Sequence, residues 1–158
     1  MRKLIVIIPI VIIAFVILEI IYLNTDKDIN IDIQKLGEEL VNSKIFEDSL
    51  SQVDKDSIIK KYNFDSQKIK DINSYVGTGA TAEEILIIEL IKKDDKNVIT
   101  ENIKTKIQER KQDFENYLPK EVFKLENYNL ESKENYIILC ISNDFDKAKE
   151  IIDKYIKD

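Results

Sequence analysis

"ENYIILCIS", residues 134–142, is apolar at every position from Tyr136 to Ile141. In an extended chain, Tyr136, Ile138 and Cys140 fall on one side and Ile137, Leu139 and Ile141 on the other. A strand with one face in water alternates apolar and polar residues, so a strand apolar on both sides is central in its sheet and covered on both faces. What covers the second face is open at this level: the amino-terminal helices are the expected cover, and a partner protein is the other candidate.

Upstream, "EILIIELI" (84–91) is β-branched and long enough for a strand, and "IKDINSYVG" (69–77) shows a mixed alternation that stops at "GTG". Gly77 and Gly79 read as an irregular strand connection, because no Lys-Ser or Lys-Thr pair follows to make a phosphate loop. After "KKDDKN", Ile99, Ile103, Ile107, Phe114, Tyr117 and Leu118 recur every three or four positions, which predicts a long amphipathic helix ended by Pro119. Two strands are expected near 122–128 and 135–141, then a helix capped within Ser142–Asp144 whose buried stripe is Phe145, Ala148, Ile152, Tyr155 and Ile156. Before all of these, Ile33, Leu36, Leu40 and Val41 predict a helix to about Ser43, continued by Phe46, Leu50 and Val53. Asp54 or Asp56 caps a short helix through Ile58, Ile59 and Tyr62. Strand-strand-helix thus occurs twice, hinting at a ββα repeat. The expected fold class is α+β, with helices packed on an antiparallel sheet as a two-layer domain.

The chain opens differently. Leu4 to Leu23 is a 20-residue apolar run interrupted by Glu19, and a helix of that length spans the roughly 30 Å hydrocarbon core of a bilayer. It is too long for a secretory signal and lacks a small-residue cleavage site after it. A lipoprotein signal needs a cysteine there, and the only cysteine is Cys140. Arg2 and Lys3 place the amino terminus in the cytoplasm. Glu19, four residues from Leu23, can reach toward the headgroups or pair with a polar group of a partner helix. The expected organisation is a transmembrane signal anchor at 1–23, a short stalk at 24–32 and an extracytoplasmic domain at 33–158. The localisation is therefore the cell membrane, single-pass. The stalk's Asp26, Asp28, Asn30 and Asp32 do not make a calcium loop, because Ile31 stands where glycine is needed and Gly37 where a bidentate glutamate is needed.

Without Arg2, Lys3 and Glu19, the 24 basic and 30 acidic residues become 22 and 29, a net charge of −7 on the exported part. Such a surface repels anionic polymers, and no basic stripe with interleaved aromatics is present, so nucleic-acid binding is disfavoured. The chain has no histidine, and Cys140 within an apolar strand reads as a buried, inert thiol. Glu83 and Glu84, with Glu89, are the carboxylates available for acid–base work. Neighbours on a strand point to opposite faces, however, and Glu84 and Glu89 are read as solvated strand charges. No catalytic residue, metal ligand or cofactor-binding residue is assigned.

"KKYNFD", "AEEILIIE", "DFENYLP" and "NYIILCISND" together resemble the family called domain of unknown function 4358, over nearly all of the exported part. That resemblance implies a small exported protein, often a lipoprotein, of low-GC Gram-positive bacteria, with no established activity, ligand or catalytic residue. An apolar run stands here where many members carry a lipobox cysteine. The expectation that follows is a membrane-anchored binding or scaffold module of the cell envelope, not an enzyme, contacting another envelope or membrane protein. A cell-envelope hydrolase acting on wall material is the alternative.

Overall fold

The run at 136–141 is a strand with all six residues buried, hydrogen-bonded on both sides. The computed structural model describes residues 29–157, with Phe15 alone before them. Apart from Phe15, the expected anchor at 1–23, with Glu19 in it, and residues 24–28 of the expected stalk lie outside the described residues. In chain order the elements are α1 (Ile33–Asn42), β1 (Ser51–Gln52), α2 (Lys55–Tyr62), β2 (Ile69–Val76), β3 (Glu84–Leu90), α3 (Lys96–Glu115), α4 (Pro119–Glu126), β4 (Asn129–Lys133), β5 (Tyr136–Ile141) and α5 (Phe145–Ile156). The strands form one antiparallel sheet in the order β1-β2-β3-β5-β4. Among the described residues, no helix is long and apolar enough to cross a membrane.

The expected α+β class with an antiparallel sheet is present, but the helices occupy both faces, and the two-layer expectation is corrected to three layers. Leu86, Ile88, Leu90, Ile137, Leu139 and Ile141 pack with α2, α3 and α4 through Ile58, Ile99, Ile103, Ile107 and Leu125. The opposite residues of the same two strands, Ile85, Ile87, Ile138 and Cys140, pack with Leu36 and Leu40 of α1 and Ala148, Ile151 and Ile152 of α5. With both faces of β3 and β5 apolar, leaving either one open would expose several fully buried isoleucines and leucines, each costing about 1.5–3 kcal/mol. The second face is thus covered from within the chain. Ile31, in the segment expected as a stalk, is buried against that same core.

This arrangement also bears on the ββα repeat. Two equal ββα units joined through antiparallel β3 and β5 would be related by a two-fold axis normal to the sheet. Such an axis keeps both helices on one face, whereas α3 and α5 lie on opposite faces. The two halves therefore share a sequence pattern without being symmetric copies.

Local signals set the boundaries. Asp32, Asp54 and Asp144 cap α1, α2 and α5, each accepting the backbone N–H three residues on at 2.9–3.0 Å. Phe46, Leu50 and Val53 do not continue α1, since Lys44 takes φ 61°, a left-handed angle that no helix interior accommodates. They pack instead along the edges of the two cores. Helix α2 stops at Asn63, also left-handed at φ 53°. Pro119 ends the preceding helical run and begins α4, where a missing N–H costs nothing. The strand expected at 122–128 is therefore helix as far as Glu126, and β4 starts at Asn129. Phe114 is buried as expected, but Tyr117 is 60% exposed because α3 stops at Glu115 and the stripe no longer directs it.

Gly37 allows α1 its close approach to the sheet. A Cβ there would come within 2.4 Å of the Asn73 side-chain nitrogen, which is buried and donates to the Ile33 carbonyl at 2.8 Å. Gly37→Ala raises helix propensity by about 1 kcal/mol, but it displaces a buried donor whose loss costs about 1–3 kcal/mol and crowds a packed contact. The expected result is a net destabilisation of about 1–2 kcal/mol, read as a lower denaturant midpoint.

Candidate functional site

The charged residues enter the interior at one end of β3. Glu84, its first residue, shares a pleat face with Leu86, Ile88 and Leu90, so its side chain is directed into the layer of α2 and α3. One carboxylate oxygen, Oε1, accepts from the Tyr62 hydroxyl at 2.9 Å. The other, Oε2, accepts from Lys61 Nζ and from Arg110 Nη1, each at 2.7 Å. Arg110 also donates through Nη2 to the Ala82 carbonyl at 2.9 Å. Burial, with the Glu84 charge beside it, pushes the Tyr62 hydroxyl well above the ordinary tyrosine range. The expectation that Glu84 is a solvated strand charge is thus corrected: it is fully buried and its charge is met by two cations. Glu89 is largely buried too, paired with Lys70 at 2.7 Å and accepting from the Tyr136 hydroxyl at 3.2 Å.

Glu83, one residue before β3, has separate partners. Its carboxylate accepts from the backbone N–H groups of Glu47 and Asp48 at 2.8–3.0 Å and from Lys124 Nζ at 3.0 Å. Lys124 is itself only 4% exposed. It also reaches Glu47 at 3.1 Å and Glu121 at 3.3 Å, and Glu121 accepts the Ala82 N–H at 2.7 Å. Burial pulls the Lys124 ammonium down, but its bonds to Glu83 and Glu47 and the nearby Glu121 outweigh that and leave it above the usual lysine range. The segment Ala82–Glu84 is therefore pinned by α4 on one side and by α2 and α3 on the other.

The loop before it is held from outside. Asp48 accepts the Thr78 N–H at 2.7 Å and the hydroxyls of Thr78 and Thr81 at 2.8 and 3.2 Å. These bonds, the Thr78 amide first, hold its carboxyl below the ordinary aspartate range. A Cβ on Gly77 would stand 2.9 Å from the same carboxylate. That close approach, and the φ of +89° at Gly79, are the use of the glycine pair read as a strand connection.

Glu83 and Glu84 share no hydrogen-bond partner among the described residues. Each carboxylate is engaged by buried or half-buried donors, and together they tie the start of β3 to α2, α3, α4 and the 47–48 loop. Cys140 is buried, and burial pushes its thiol up to about 12, far from the range of a nucleophile. Among the described residues no group of three or more acidic, histidine or cysteine side chains is placed to hold a metal.

Sequence reading missed Lys61, Arg110, Glu121 and Lys124. A signal for Arg110 was present: in the series Ile103, Ile107, Arg110, Phe114 the charge occupies the position the helical period assigns to the core. Glu121 precedes buried Leu125 by four positions and Lys124 follows Glu121 by three, spacings that put both along the covered side of α4.

Two surface features lie beside these networks. A cleft of about 330 Å³ between α2 and α3 is lined by Lys61, Asn63, Asn102, Thr105 and Lys106. At α4, a smaller hollow of about 220 Å³ is bordered by Glu47, Lys120, Lys124 and Asn143, together with Phe123, which is 57% exposed.

No curated protein and no solved structure matches this chain. A family model described as "Domain of unknown function (DUF4358)" matches residues 44–142, a span that contains the whole sheet, α2, α3 and α4, and with them both buried ion networks. The chain belongs to the DUF4358 family.

Proposed function

We propose that the protein is a binding module of the cell envelope, held on the outer face of the cell membrane by residues 1–23 and contacting another envelope or membrane protein. The observation that carries binding over wall hydrolysis is the state of the two candidate carboxylates. Hydrolysis of a glycosidic bond by an acid–base pair needs two carboxyl groups flanking an open substrate position, about 5–9.5 Å apart. Glu83 and Glu84 are instead fully buried, and both are engaged by lysine, arginine or backbone donors. The surface offers aromatic anchors: Tyr117 and Phe123, 60% and 57% exposed, stand in the turn before α4 and along the helix. Exposed aromatics of this kind are enriched at the centres of protein interfaces.

The test uses the full chain in intact cells with a photoreactive residue at Phe123, and a control at Glu150 on the exposed side of α5. The expected result is one protein captured from position 123, not from position 150, with capture lost in Tyr117→Ser. External protease should digest the domain in wall-free cells. A domain protected from that protease, or turnover of wall fragments by the purified protein, would overturn the proposal.

A further inference from the structure

The cleft between α2 and α3 has an imbalance of charge beneath it. Lys61 and Arg110 both donate to the same oxygen of Glu84, at 2.7 Å each, so one carboxylate answers two cations. Lys106 and Glu109 form a separate pair at 2.8 Å and cancel. One positive charge is left at the cleft floor, in a chain whose net charge is −6.

Lys61 is the group placed to present that charge. Its side chain is 26% exposed, and its one hydrogen bond among the described residues is to Glu84, whereas an ammonium carries three donors. Burial, with the charges of Arg110 and Lys106, pulls Lys61 below the ordinary lysine range despite the attraction of Glu84. The cleft walls are polar and preorganised: Asn102 donates to the Tyr62 and Asn63 carbonyls at 3.3 and 2.8 Å, tying α3 to the end of α2, and Thr105 adds a hydroxyl. Glu109, also in the lining, is drawn away by Lys106 and is the one acidic group there.

We propose that this cleft binds a single oxyanion group, the carboxylate or phosphate of a small ligand, with Lys61 as its charged donor and Thr105 beside it. The site goes beyond the protein contact proposed above and does not depend on it, because α4 and its aromatics take no part. A bound oxyanion would complete the charge balance, giving two anions for Lys61 and Arg110 and a short charge-assisted hydrogen bond.

The experiment titrates the full chain, in detergent micelles, with inorganic phosphate and separately with acetate at constant ionic strength set by chloride. Amide resonances of Asn63, Asn102 and Thr105 are followed. Saturable shifts with either anion, at least about tenfold weaker in Lys61→Met, support the site, tenfold being what loss of one charge-assisted hydrogen bond removes. Saturation by phosphate alone assigns a phosphate-bearing ligand, and by acetate alone a carboxylate. Lys61→Met leaves Glu84 paired with Arg110 and Tyr62, and Lys106→Met, on the exposed pair, serves as a second variant that should weaken binding less. Shifts that are linear in both anions, or saturation unchanged in Lys61→Met, would overturn the proposal.

Discussion

Lys124→Ala is expected to lower the stability of the domain by about 3–5 kcal/mol, the range for removing one partner of a buried ion pair. The reason is what remains behind. Glu83 and Glu121 are 0% and 5% exposed, and among the described residues Lys124 is the only cation bonded to either. Without it, two carboxylates sit near one another with no compensating charge, and the Glu83 oxygens keep only the Glu47 and Asp48 amides. Equilibrium urea unfolding measures the loss. The triple change Lys124→Met, Glu83→Gln, Glu121→Gln should recover a large part of it, since it removes the stranded charges together with the cation. A Lys124→Ala protein as stable as the parent would mean that water reaches this end of the sheet.

Phe114→Ala should cost about 3–5 kcal/mol as well, by a different route: lost transfer energy and an unfilled cavity. Phe114 is 6% exposed at the end of α3, within the core shared by α2, α4 and one sheet face. Its ring lies 5.5 Å from that of Tyr117. The neighbouring substitution supplies the internal control. Tyr117→Ala, at a 60% exposed position, is expected to change stability by less than about 1 kcal/mol while abolishing the contact proposed for the α4 surface. The two variants differ by three positions in sequence and should separate cleanly in their melting temperatures.

Periodicity reported what it physically encodes, which is how many faces of an element meet apolar surroundings. Both alternate sets in 136–141 are apolar, so β5 had to be central and doubly covered, and it is. The four-residue recurrence of Ile99, Ile103 and Ile107 located α3, and the capping residues read at Asp54 or Asp56 and within Ser142–Asp144 located the starts of α2 and α5. Where a strand was expected at 122–128, a short window of mixed residues left the period ambiguous, and Pro119 at a helix's first position decided it. The carboxylates at 83 and 84 were visible as residues, but not as buried ones. Their partners come from 22 to 41 residues away in the chain, on three different helices and a loop.

By itself the sequence determined the local and the one-dimensional: an apolar run at 4–23 set apart from a charged remainder, an α+β class, a central strand, the helix caps and membership of a family without an assigned activity. The membership rests on the resemblance of several motifs taken together, and the rest follows from interactions between residues a few positions apart, or from composition. Tertiary structure alone decided that α3 and α5 take opposite faces, that Lys124, Glu121 and Glu83 form one buried network, and that Lys61 and Arg110 share one carboxylate beneath an open cleft. Those facts depend on which distant surfaces meet. Two cations converging on a single glutamate oxygen from different helices are invisible until the sheet has brought α2 and α3 together above it.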